Sequence, residues 1–189
     1  MKKIAIFASG SGTNAENIIR YFAKGDQARV ELVLCNRPGA GVLARAASLG
    51  VESIVFDRDT FYNSDRIVNL LRDRGVDYVV LAGFLWLVPS SLIAAYPNRI
   101  VNIHPALLPK FGGKGMYGDR VHQAVVEAGE KESGITIHIV NEHYDSGAIL
   151  AQFRVPVEPT DTPDQVAAKV HALEYAHFPD VIAAELAKL

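Results

Sequence analysis

Through the first part of the chain, short unbroken apolar runs alternate with segments whose apolar residues recur at helical spacing. Lys3 to Ala8, Val30 to Leu34, Val51 to Phe56 and Asp77 to Ala82 are four such runs, and Arg99 to His104 is a fifth. The runs lack polar–apolar alternation, which predicts parallel strands covered on both faces. Between them, Ile18, Ile19 and Phe22 mark one helix, and Val42, Leu43, Ala46 and Leu49 mark a second that stops near Gly50. Asp65 to Arg72 predicts a third helix, ended by Gly75, and Ser90 or Ser91 is placed to cap a short fourth reaching Tyr96. Strand–helix alternation of this kind predicts an α/β fold, a doubly wound and mostly parallel sheet of Rossmann-like type.

The pattern changes after the fifth run. Asp119 to Ala128 predicts a helix, and Gly134 to Val140 with Ile149 to Val157 reads as an antiparallel strand pair. Thr162-Pro163-Asp164-Gln165 is a capping box with proline at the first helical position. The final helix it opens carries Val166, Val170, Leu173 and Ala176, and Pro179 is expected to kink or restart it. With no linker, repeat or low-complexity segment, one domain over residues 1–189 is expected.

Composition narrows the classes of function. A net charge of −2 without a basic stripe argues against nucleic acid as a partner. No apolar stretch is long enough to span a membrane, and Met1-Lys2-Lys3-Ile4 reads as the start of a strand rather than a signal peptide, so a cytoplasmic protein is expected. The single cysteine, Cys35, has no internal disulfide partner and sits in an apolar run as a small hydrophobe.

Candidate chemistry lies at two strand ends and one turn. Ser9-Gly10-Ser11-Gly12-Thr13-Asn14 joins a strand to a helix, the context in which free backbone N–H groups and the helix dipole hold a phosphate. The same loop formally fits a dinucleotide fingerprint, but the second strand ends Leu34-Cys35-Asn36-Arg37 without the acidic residue a nicotinamide cofactor needs. A monophosphate site is the preferred reading, beside a plain tight turn. Asn102 and His104 stand two residues apart at the end of the fifth run, so both face one side of an extended backbone. They read either as an amide–imidazole pair for catalysis or as a turn cap and a core histidine. Tyr144-Asp145-Ser146-Gly147 is an acidic turn, and a carboxylate brought up to His104 would favour its imidazolium form. A metal site from His138, His143 and Asp145 is the rival use of these groups. His122, His171 and His177 fall on helices as surface or packing residues. The glycines at positions 112, 113, 115 and 118 predict a loop able to move or to let ligand approach the backbone.

Taken in order, the Ser9–Asn14 loop, Leu81-Ala82-Gly83-Phe84, Asn102-Ile103-His104-Pro105-Ala106-Leu107-Leu108-Pro109, and Gly134-x-Thr136 through Asp145-x-Gly147 resemble the phosphoribosylglycinamide formyltransferase family. The resemblance runs from Ile4 to about Pro179. It implies transfer of a formyl group from 10-formyltetrahydrofolate to the amine of 5-phosphoribosylglycinamide in purine biosynthesis. No metal or tightly bound cofactor is implied, and the partners are small molecules acting on a monomer or homodimer. It also implies roles: Asn102 donates to the formyl oxygen, His104 as imidazolium stabilises the oxyanion and moves protons, and Asp145 keeps His104 charged and aimed. Gly12, Thr13 and Asn14 would take the ribose phosphate, with Gly83 at the cleft and Glu174 on the glycinamide amine. Leu85, Trp86, Leu87 and Val88 would line the folate site, with Asn102, Val140 and Asn141 opposite and Arg58 toward the folate tail. The loop Asp57 to Asn63 and the Gly112 to Gly118 loop both depart in length from common family versions. Methionyl-tRNA formyltransferases and formyltetrahydrofolate deformylases, which add further domains, fit less well. Other readings are formyl transfer to a different phosphorylated amine, a nicotinamide-dependent oxidoreductase and a nucleotide sensor.

Overall fold

The computed structural model describes residues 1–189. Its seven strands are β1 (Lys2–Ala8), β2 (Ala28–Cys35), β3 (Glu52–Val55), β4 (Tyr78–Leu81), β5 (Ile100–His104), β6 (Glu132–Ile139) and β7 (Ile149–Pro156). They form one sheet in the order β3-β2-β1-β4-β5-β6-β7. The first five pair in parallel, and β6 runs antiparallel to β5 and β7. The helices are α1 (Thr13–Phe22), α2 (Gly41–Ser48), α3 (Arg58–Tyr62), α4 (Arg66–Asp73), α5 (Ser90–Ala95), α6 (Asp119–Glu127) and α7 (Pro163–Leu186).

Side chains alternate across β1 into two separate cores. Ile4, Ile6 and Ala8 pack with Ile18, Val170 and Phe178 on one face, while Ala5 and Phe7 pack with Phe56, Phe61 and Leu71 on the other. Burial on both faces is why β1, β4 and β5 read as unbroken apolar runs, whereas β3 at the sheet edge is only partly covered. The strand order reverses at β1, with β2 and β3 to one side and β4 and β5 to the other. A crevice opens there beyond the carboxyl ends of β1 and β4, the place where open α/β sheets bind ligands.

Three local expectations are corrected. The segment Asp57 to Asn63, expected as a loop, contains α3, capped where Asp57 Oδ1 accepts the Thr60 N–H at 2.8 Å. It is a single turn held by burial of Phe61 against Phe7 and Phe56, too short for a periodic signal. Pro89, not Ser90 or Ser91, occupies the cap position of α5, and no side chain caps that helix. Pro179 does not restart α7, which runs as one helix of 24 residues. The N–H that proline lacks would have served the Tyr175 carbonyl, and Asn17 Nδ2 from α1 donates to that oxygen instead at 3.0 Å.

The β6–β7 ladder leaves no room at Gly134, where an added Cβ would run into the Phe153 carbonyl. Gly134→Ala is expected to cost about 1–3 kcal/mol, seen as a fall of several degrees in melting temperature. An unchanged melting curve would mean β7 does not pack as described.

Candidate active site

The loop after β1 is tied to the loop after β4 by two hydrogen bonds. Ser9 N–H donates to the Gly83 carbonyl at 3.1 Å, and Ser9 Oγ accepts the Leu85 N–H at 3.0 Å. Gly12 stands at the start of α1 with φ of 78°, and a Cβ there would lie 2.5 Å from Val42. Only glycine fits this turn. No side chain caps α1, and its first intrahelical bond runs from Glu16 N–H to the Gly12 carbonyl. The preceding N–H groups have no partner in the helix, as an anion site requires. Arg45 braces the loop from behind through the Ser11 carbonyl at 2.8 Å and an ion pair with Glu16.

Asn102, His104 and Asp145 meet on the other side of the crevice. His104 is 3% exposed, its Nε2 lies 2.7 Å from the Phe111 carbonyl, and its Nδ1 lies 3.5 Å from Asp145 Oδ2. A carbonyl only accepts, so Nε2 carries the hydrogen and Nδ1 is the nitrogen that titrates. Burial lowers the His104 pKa, and the opposing pull of Asp145 and the Phe111 carbonyl does not reverse this. The pull of Asp145 toward a charged ring is thus smaller than the effect of burial, which favours the neutral imidazole at rest. Burial alone would raise Asp145. The neighbouring His138 ring at 3.8 Å, the His104 ring and the Gly113 N–H at 3.1 Å outweigh that and hold the carboxyl below its usual range. Phe111 and Asp145, the two residues against the His104 nitrogens, both have positive φ, at 57° and 50°. Non-glycine residues rarely hold that conformation.

The Asn102 amide is anchored by a residue expected only as a possible metal ligand. Asn102 Nδ2 donates to His138 Nε2 at 3.1 Å, while His138 Nδ1 donates to the Ile139 carbonyl at 3.1 Å. A second Asn102 proton faces Asp145 Oδ1 at 3.5 Å, the limit of a hydrogen bond, and is the one a stronger acceptor would claim. His143 is exposed, and no three His, Cys, Asp or Glu side chains gather as a metal-ligand set.

A cleft of about 930 Å³ connects the two halves. Gly12, Thr13, Asn14 and Gly83 line it together with Leu85, Trp86, Leu87 and Val88, and so do Asn102, His104, Val140, Asn141, Asp145 and Glu174. Arg58 stays outside that lining. Its guanidinium stacks over Trp86 at 4.8 Å and Tyr62 at 5.5 Å, on the rim.

Glu174 is 4% exposed on α7, and its Oε2 accepts from Asn14 Nδ2 at 2.8 Å and His171 Nδ1 at 3.0 Å. That bond to Glu174 raises the His171 pKa above its ordinary value. His122 from α6 lines the same wall, buried at 2%. Both histidines fall on helices at positions that predict surface or packing residues, and the fold instead sets them on the cleft. The available signal was Glu174 itself, a carboxylate interrupting a stripe of apolar residues at every fourth position, Val166, Val170, Phe178, Ile182 and Leu186.

Residues 2–182 match the family model described as formyl transferase. The chain is 45% identical over 189 residues to the chloroplastic phosphoribosylglycinamide formyltransferase of Arabidopsis thaliana, covering 97% of this chain and 65% of that one. It spans 60% of the Vigna unguiculata relative. To the phosphoribosylglycinamide formyltransferase of Bacillus subtilis it is 38% identical, covering 96% of this chain and 93% of that one. The solved phosphoribosylglycinamide formyltransferase of Bacillus halodurans superposes with a TM-score of 0.88 at 38% identity, covering 99% of this chain and 96% of that chain. No helix here is long and apolar enough to cross a membrane. With the model matched over nearly its whole length and the crevice built as described, the chain belongs to the formyl transferase family.

Proposed function

We propose that residues 1–189 act as one catalytic domain, a cytoplasmic enzyme that moves the formyl group of 10-formyltetrahydrofolate onto the amine of 5-phosphoribosylglycinamide. The observation that carries this reading is the shared cleft: a phosphate-type loop at Gly12, a buried carboxylate at Glu174 and the Asn102–His104–Asp145 group all open onto it. The ribose phosphate sits on the free N–H groups of α1, and Glu174 holds the amine. The apolar wall Leu85 to Val88, with Val140 and Asn141 opposite, takes the folate ring. Arg58 on the rim faces the folate tail.

Attack of the amine on the formyl carbon generates an oxyanion. Asn102 Nδ2 gives up its long contact with Asp145 and donates to that oxygen. His104 Nε2–H exchanges the Phe111 carbonyl for it, so a neutral imidazole suffices as donor. Asp145 faces Nδ1 and favours the proton that His104 acquires as charge moves through the site. This role for neutral His104 follows from its burial and its tautomer, in place of a resting imidazolium.

The test is absorbance-followed deformylation of a 10-formyl folate with and without 5-phosphoribosylglycinamide. Turnover should depend on the glycinamide, and Asn102→Ala should lower kcat by about 10²–10³-fold in a folded protein. Turnover without the glycinamide would make the chain a hydrolase. Near-normal turnover of Asn102→Ala would remove the amide from the mechanism.

A further inference from the structure

Attack by a primary amine releases a proton at the nitrogen, and a base must stand where that nitrogen sits. Of the titratable groups around the cleft, Glu174, His171 and His104 are each paired with a neighbour in the resting site. Glu174 Oε2 already accepts from both Asn14 and His171, which suits it to holding a cation. His171 has its Nδ1–H directed at Glu174. His104 spends Nε2 on the Phe111 carbonyl and turns Nδ1 to Asp145. His122 is different. It is 98% buried by its 2% exposure, lines the cleft, and has a covered Nδ1 with no partner, while Nε2 makes no hydrogen bond within the chain. Buried polar atoms without a partner are uncommon and call for an explanation.

We propose that His122 is the base that receives the proton shed by the amine during formyl transfer. This rests on the function proposed above. The amine lone pair forms the new carbon–nitrogen bond, the formyl π pair becomes the oxyanion, and one N–H proton passes to His122 Nε2. Collapse of the oxyanion breaks the bond to the folate nitrogen, which takes one proton from water in the cleft as it leaves. His122 returns its own to water in the cleft, so the count closes over the cycle. Asn14 contributes a covered, unpartnered Oδ1 on the same wall as Glu174, a further acceptor beside the amine.

The surroundings suit a base. Burial lowers the His122 pKa, and the neighbouring His171 adds to it, against opposing pulls from Glu174 and Asp119 and with the smallest contribution from His104. The ring is thus kept neutral at neutral pH, ready to accept. Its ring lies 6.0 Å from that of His171, edge to face.

The experiment compares wild type, His122→Gln and His122→Ala in the glycinamide-dependent assay, with melting temperatures recorded for each. Expected are a fall in kcat of about 10²–10⁴-fold, a KM for the glycinamide close to wild type, and partial recovery of His122→Ala by added imidazole. That recovery should grow with the free-base fraction of imidazole. A folded His122→Gln with wild-type kcat overturns the proposal. So does a loss in both variants that comes with lowered melting temperature, a raised KM and no imidazole recovery, since that is a packing role. A wild-type chain that turns over without the glycinamide, or not at all, fails the proposed function first and takes the amine, and this role, with it.

Discussion

His104→Ala is expected to lower turnover by about 10²–10⁴-fold while leaving the chain folded. Its ring is the only group on this floor that offers a strong donor at Nε2 and a titrating nitrogen at Nδ1. Alanine removes the donor to the oxyanion and the route for protons between substrate and Asp145. The neutral resting state adds a pH signature. If a resting imidazolium were required, kcat would fall as pH rises through the His104 pKa, which burial places below the ordinary value. With a neutral ring as donor, kcat should hold as pH rises from neutral into mild alkali. It should fall on the acid side, where His122 and His104 become charged. Stopped assays across pH on wild type, with a melting curve for His104→Ala, decide both points. A folded His104→Ala with undiminished kcat would contradict the mechanism, and a kcat that falls as pH rises through the acid range toward neutral would return the imidazolium to it.

Glu174→Gln is expected to lower kcat/KM for the glycinamide by roughly 2–5 kcal/mol, about 30-fold to several-thousand-fold, because the amide removes the charge that holds the amine. Glu174→Leu makes the stronger contrast. Leucine completes the apolar stripe of α7 and removes the cost of burying a carboxylate. It leaves Asn14 Nδ2 and His171 Nδ1 without their acceptor, which sets the upper limit on any gain. Glu174→Leu should therefore melt within a few degrees of wild type yet lose activity at least as completely as Glu174→Gln. Steady-state kinetics beside thermal melts read both. A Glu174→Gln enzyme with wild-type kcat/KM would place the amine elsewhere.

Much of this arrangement is written along the chain. The apolar runs specify β1, β2, β4 and β5 because these strands are buried on two faces and need no partner to declare themselves, while the edge strand β3 is only partly covered. The α7 capping box is a local device, formed by Thr162 and Gln165 alone, and it appears where the sequence placed it. The loop at Gly12 is local too, since a strand, a glycine with positive φ and a helix start are consecutive in sequence. The Asn102–His104 spacing and the link to Asp145 were legible through the family pattern.

Other features depended on which distant segments meet. A one-turn helix such as α3 owes its form to the rings around Phe61, and a proline inside α7 is tolerated because Asn17 reaches the Tyr175 carbonyl from another helix. Local propensity carries no record of such donors. The charge state of His104 followed from how deeply β5, β6 and the Phe111 loop bury it, against a carboxylate 3.5 Å away, and burial won. His122 and His171 looked like ordinary helix residues until α6 and α7 set them beside Glu174. By itself the sequence determined the strands, the phosphate-type loop and the identity of the reactive pair, all encoded by residues near one another in the chain. Tertiary structure alone decided the protonation state, the partners of each polar atom and the wall around the amine, because those depend on burial and distance between segments far apart in sequence.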